Sequence, residues 1–156
     1  MEDWAQFIYQ FKAFWSTILT VLSESVRILL PVLKRLGLVM CGGGLGAASR
    51  YGISLLAARI GGAGFPWGTL AVNLSGCFLI GLLFALADRT RFVTPDMRLL
   101  IITGYLGALT TFSTFSLETV SAGRAGLILQ PLANILANNI GGMTLTFLGI
   151  WVGSHR

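Results

Sequence analysis

The sequence predicts an all-α integral membrane protein with four transmembrane helices, the third of them broken. Three observations carry this expectation. Only 11% of the 156 residues are charged while 54% are apolar, whereas a soluble domain usually carries about 25% charge. Mean hydropathy is +0.79, and a single domain of this size cannot hide so much apolar side chain from water. The apolar residues also gather into four long runs with short turns between them, each run near the roughly 20 residues needed to cross a bilayer.

That composition excludes an ordinary soluble enzyme, a disordered tail and a disulfide-stapled secreted module. The net charge of +5 suits anionic lipid headgroups between spans better than nucleic acid. The only histidine, His155, stands near the C-terminus, which argues against histidine-based hydrolysis or zinc chemistry. Cys41 and Cys77 lie in apolar stretches without a partner histidine and read as small buried side chains.

Residues 1–35 form an N-terminal extension and residues 36–156 the four-helix membrane domain. The extension mixes aromatic and aliphatic residues with Glu2, Asp3, Lys12, Glu24 and Arg27. Its longest uncharged core, Ala13–Ser23, is short for a span, and no positive region precedes it as in a signal peptide. An interfacial amphipathic helix, broken near Pro31, is expected. A cleaved or disordered leader and a fifth span are the alternatives.

The first span, Leu36 to Ala58, carries GGGLGAASRYG. Its small residues at four-residue spacing permit close helix approach. Arg50 lies within it, where a charge needs a partner, a hydrated vestibule or an interface. Either a structural or electrostatic role or direct ion contact fits that position. The second span, Gly68 to Ala87, contains VNLSG. A carboxamide in hydrocarbon is costly unless bonded, so Asn73 reads either as interhelical glue or as a donor to a passing solute. Gly76 shares its face.

The third span, Leu99 to Leu117, has the sharpest signal. Thr110, Thr111, Ser113, Thr114 and Ser116 crowd together around Phe112 and Phe115. Gly104 and Gly107 followed by the threonine pair predict a mid-membrane break. Such a break frees carbonyls at one half-helix end and amide hydrogens at the other. The former suit cations and the latter anions. Glu118 closes the span, placed to accept from the hydroxyls or to neutralise Arg50. A turn is expected at Ser121–Arg124. The fourth span then holds Asn134, Asn138, Gly142 and Thr146 at four-residue spacing, a polar stripe that lines either an interface or a hydrated path.

Four tight crossings place both termini on one side. That side collects Lys34, Arg35, Arg89, Arg91, Arg98 and Arg156, plus Lys12 and Arg27 of the extension, against Arg59 and Arg124 on the other. The positive-inside rule puts it in the cytoplasm.

The segments GGGLGAASRYG, GTLAVNLSG and GYLGALTTFSTFSLE together resemble the CrcB/Fluc family of fluoride channels, over Leu36 to about Gly153. The resemblance implies four-helix subunits in the cell inner membrane, paired antiparallel as a dual-topology homodimer with two pores. It implies passive fluoride export from the cytoplasm, with a structural sodium ion at the dimer interface. Residue by residue, it places the pore on Asn73, Phe112 and Phe115, with Thr114 beside them. The polar track of the fourth helix falls on Asn134 and Asn138, where the family often has tyrosine and serine. The sodium ligands fall on the main-chain carbonyls of Gly107 and Thr110, and the family arginine on Arg50. The extension lies outside the family core. The charge bias favours one orientation, which makes pairing with an oppositely oriented sister subunit the alternative to a homodimer. The competing functions are a coupled small-ion or drug/proton antiporter and a non-transporting structural membrane protein.

Overall fold

The computed structural model describes residues 2–62, 64–89 and 93–155. Arg91 and Arg156, counted in the charge bias above, lie outside them. The elements are α1 (Glu2–Gly61), α2 (Trp67–Arg89), α3 (residues 95–109), α4 (Phe112–Arg124) and α5 (Leu129–Ser154). The stretches Gln6–Gly61, Trp67–Ala87, Pro95–Arg124 and Leu129–Ser154 are each long and apolar enough to cross a membrane. The chain is a multi-pass, all-α membrane protein. It divides into two compact units, Met1–Gly37 and Leu38–Arg156.

In the first unit the helix continues through Pro31, so the expected break is absent. An interior proline removes one backbone hydrogen bond and need not end a long helix. Ser16, Thr17, Thr20 and Ser23 donate back to carbonyls of their own helix at 2.8–2.9 Å. This satisfies the hydroxyls locally. Phe7 stacks on Phe11, and Trp15 meets both Phe11 and Phe14 edge-on.

The second unit is built by backbone-to-backbone approach. A Cβ on Gly42 would collide with the Leu100 carbonyl, and one on Gly46 with the Tyr105 carbonyl. The small residues of the first span therefore seat its helix directly on α3, as the spacing predicts. Helix α5 seats on α2 in the same way: Gly81 lies against the Thr146 carbonyl and Gly149 against the Phe78 carbonyl. A small core of Val72, Leu106 and Leu109 sits between these contacts, with Ile53, Leu79 and Tyr105 against it. Cys41 is exposed and Cys77 half-buried, both as free thiols. The burial expected for Cys41 is not found, because it lies off the Gly42–Gly46 contact line.

The third span breaks where the threonine pair predicts. Thr110 (φ −82°, ψ 155°) and Thr111 (φ −150°, ψ 116°) are extended, and they separate α3 from α4. The turn expected at Ser121–Arg124 is instead the last turn of α4. The chain reverses at Gly126, whose φ of +79° only glycine adopts readily. Leu127 N–H reaches Ala122 O at 3.1 Å and Gly126 N–H reaches Gly123 O at 3.0 Å, the paired bonds of a Schellman stop. Two stretches, Arg98–Leu106 and Ala137–Gly141, are wound as π-helix.

Gly46→Ala should destabilise the folded chain by about 1–3 kcal/mol, since its Cβ meets backbone that cannot step aside. Gly44, with nothing within 4 Å of an added Cβ, should accept alanine without loss. Thermal unfolding in detergent, followed by size-exclusion chromatography, measures both. Equal behaviour of the two variants would contradict the packing described.

Candidate functional site: the broken helix and its amide clamp

The break exposes backbone groups that an intact helix would pair. In such a helix Thr111 N–H would reach Gly107 O, and Thr114 N–H would reach Thr110 O. Here Thr111 N–H goes to Asn73 Oδ1 at 2.8 Å. Thr114 N–H goes to Thr111 Oγ1 at 3.3 Å, making Thr111 the N-cap of α4. The carbonyls of Gly107 and Thr110 are thereby released from their ordinary helical donors. They are the two that the resemblance assigned to sodium.

Asn73, on α2, clamps the break from both sides. Besides accepting from Thr111 N–H, it donates through Nδ2 to Thr111 O at 3.2 Å. Its other amide hydrogen goes to Asn138 Oδ1 at 2.9 Å. The backbone of Thr111 thus fixes which end of the carboxamide is which. The bonds are those of the interhelical-glue reading of Asn73, for both of its amide hydrogens are spent within the chain.

Asn73, Asn138, Thr110, Thr111, Gly107 and Phe112 line a cavity of about 410 Å³, together with small and aliphatic side chains; no charged side chain lines it. Asn138 also borders a second cavity of about 490 Å³, with Cys77, Asn139, Gly142 and Thr146. Asn134 is 0% exposed and lines neither. The polar stripe of α5 therefore divides: Asn138 faces space and Asn134 is sealed.

Phe112 and Phe115 touch, with ring centroids 5.5 Å apart and planes tilted by 50°. Their surroundings differ sharply, because Phe115 is 7% exposed and Phe112 is 78% exposed. Phe112 stands on the outer wall of the cavity, and Phe115 packs inward under α4. Thr114 is exposed, and its hydroxyl accepts from Thr111 Oγ1 at 3.1 Å.

The two charged candidates flank a hydroxyl cluster. Arg50 is half-buried in a cavity of about 260 Å³ with Ser54, Thr69, Thr111 and Thr114. Glu118 lines the adjacent cavity of about 300 Å³, which shares Ser54, Thr69 and Thr114. No salt bridge joins them: Glu118 Oε1 accepts from Thr69 at 2.8 Å, and its Oε2 is buried without a hydrogen-bond partner. The sequence reading missed Thr69 and Ser54. It missed Thr119 too, whose hydroxyl accepts from Asn134 Nδ2 at 2.8 Å. All three stand at span ends, where a hydroxyl carries no distinctive signal. Among the described residues no group of three or more His, Cys, Asp or Glu could hold a metal ion.

Residues 37–150 match the family described as CrcB-like protein, Camphor Resistance (CrcB). The chain belongs to this family. Among CrcB relatives, the fluoride-specific ion channel FluC of Dehalococcoides mccartyi is 42% identical over 117 residues, covering 75% of this chain and 90% of the relative. That of Shewanella amazonensis is 46% identical over 111 residues, covering 71% and 89%. That of Hahella chejuensis is 52% identical over 102 residues, covering 65% and 80%. All the site residues above fall inside the CrcB match, and the whole N-terminal extension, residues 1–35, falls outside it.

Replacing Asn73 with leucine should leave Thr111 N–H and C=O unpaired, at a cost of about 1–3 kcal/mol for each group. Amide exchange at Thr111, measured by mass spectrometry in micelles, should accelerate well beyond that of α2. Unchanged protection at Thr111 would mean that the clamp does not hold the break.

Proposed function

We propose that the chain forms a passive, fluoride-selective channel. The observation that carries this reading is the cavity beside the helix break, lined by neutral donors and an aromatic ring and by no charged side chain. Fluoride is small and strongly hydrated, so a pore must replace its water donors. Asn73, Asn138 and the threonine hydroxyls are neutral donors, each held by an internal acceptor that an ion must displace, and being neutral they bind without trapping. The electropositive edges of Phe112 and Phe115 can face an anion. The fluoride-specific relatives support the same substrate.

The subunit pairs with a second, antiparallel copy, giving two pores per dimer. The 78% exposure of Phe112 supports this, since a pore wall needs a facing surface. Gly107 and Thr110 would supply two carbonyl oxygens per subunit to one structural sodium, a hard cation suited to oxygen. When bound, it would add positive potential between the two pores. Arg50 adds positive potential at a vestibule, near the Ser54 and Thr69 hydroxyls. The extension is an interfacial helix, with its Phe7, Phe11, Phe14 and Trp15 set at the headgroup boundary; since the helix is unbroken at Pro31, this reading requires the helix to bend rather than break there. A coupled exchanger is the second reading, favoured by the unpartnered oxygen of Glu118.

Purified protein in liposomes should release fluoride rapidly without a proton gradient and hold back chloride. Equal efflux of both ions defeats the channel reading, and a strict need for a proton gradient selects the exchanger. Phe112→Ile and Phe115→Ile should each cut initial fluoride efflux at least tenfold while the size-exclusion profile is unchanged. A volume-conserving swap that harmed only packing would cost less than about 1.5 kcal/mol and spare the flux.

Single cysteines introduced in the turn at residues 61–67 of an otherwise cysteine-free chain should label with an impermeant maleimide from both sides of the membrane. One-sided labelling would replace the homodimer by a fixed-orientation subunit with a sister. In the same assay a cysteine at Gln10 should label and one at Phe11 should be shielded by lipid. Equal labelling of those two would exclude the interfacial helix.

A further inference from the structure

The amides of Asn73, Asn138 and Asn134 belong to one directional hydrogen-bond circuit. Thr111 N–H donates to Asn73 Oδ1, and Asn73 Nδ2 donates to Asn138 Oδ1. Asn138 Nδ2 donates to Asn134 Oδ1 at 2.9 Å and to Asn134 O at 3.0 Å. Asn134 Nδ2 donates to Thr119 Oγ1, whose hydroxyl donates to Phe115 O at 2.7 Å. The circuit leaves α4 at its N-cap, passes through α2 and α5, and re-enters α4 at Thr119, about two turns on, to end on Phe115 O. Every carboxamide orientation along it is set by the one before.

Its links are not equally free to open. The Asn73 hydrogen on Thr111 O is tied to the break itself. The Asn138 and Asn134 amides meet at a residue with no exposed surface. Only the Asn73–Asn138 bond joins two side chains that both line the 410 Å³ cavity. It therefore holds the one amide hydrogen of Asn73 that can be exchanged without unlocking the fold.

We propose that Asn138 Oδ1 is an internal competitor for the permeating anion. It occupies the spare donor of Asn73 when no ion is there, and it gives that donor up when an ion arrives. This inference rests on the anion-channel reading above. An anion accepts a hydrogen bond about twice as strong as a neutral acceptor does, so the exchange favours the ion, but by less than a bare donor would. The competitor thus weakens binding enough to let the ion leave, which conduction requires. Asn134 touches no ion. It is a positioning residue that holds Asn138 by two bonds and so sets how firmly the competitor is presented.

The test is the fluoride dependence of current through the full-length protein in planar bilayers. In Asn138→Leu, which has nearly the same shape and no acceptor, the half-saturating fluoride concentration should fall about three- to tenfold, with a lower maximal current. Asn134→Leu should lower it by about two- to threefold, although residue 134 lines neither cavity. If Asn138→Leu does not fold, Asn138→Ser withdraws the same acceptor while keeping a hydroxyl for Asn134. A purely structural role would lower the maximal current and leave half-saturation unmoved, and that result in folded variants overturns the proposal. Absence of fluoride current in the unmodified protein would remove the channel reading and this inference together. Normal wild-type current with unmoved half-saturation in the variants would remove this inference alone.

Discussion

The structure depends on one carboxamide holding open a helix inside a membrane. Lipid offers no water to an unpaired peptide group, so a break there persists only where protein replaces the lost bonds. Asn73 does this by facing Thr111 as a β-strand neighbour would, taking its N–H at 2.8 Å and its C=O at 3.2 Å. Thr111 then caps α4 with its own hydroxyl. Everything distinctive about the site follows from this. Two carbonyls lose their helical donors, two half-helices end in mid-membrane, and a cavity opens beside them.

The glycine contacts make the clamp possible. A carboxamide on α2 reaches the backbone of the third span only where the helices lie closer than ordinary side chains permit. Gly76 gives that room, for a Cβ there would collide with the Thr110 methyl. Gly42 and Gly46 do the same for the first span against α3. Small residues here set distances on which hydrogen bonds elsewhere depend.

Much of this was legible in the sequence. Uncharged runs of bilayer length disclosed the spans, and the crowd of hydroxyls after Gly104 and Gly107 disclosed the break. The four-residue spacing of Asn134, Asn138, Gly142 and Thr146 disclosed a single inward face. Spacing defines a face but not a neighbour, however, so it could not separate sealed Asn134 from cavity-lining Asn138. Nor could it separate inward Phe115 from outward Phe112. The stop of α4 was misplaced because Gly123 and Gly126 are equally good candidates by residue type. Only the paired bonds from Gly126 and Leu127 decide between them. Pro31 was given too much weight, since one missing N–H is a small loss in a long helix.

The π-wound stretch at Ala137–Gly141 bears on how this fold tolerates evolutionary insertion and deletion. A π turn holds about one residue more than an α turn over the same rise. Loss of a single residue there would let α5 rewind as one full α turn over nearly the same rise, so everything beyond would keep its face. Thr146, Gly149 and Gly153 would stay against α2. A one-residue deletion is therefore absorbed at this point, whereas in an α-wound stretch of the same helix it would turn everything beyond by about 100°.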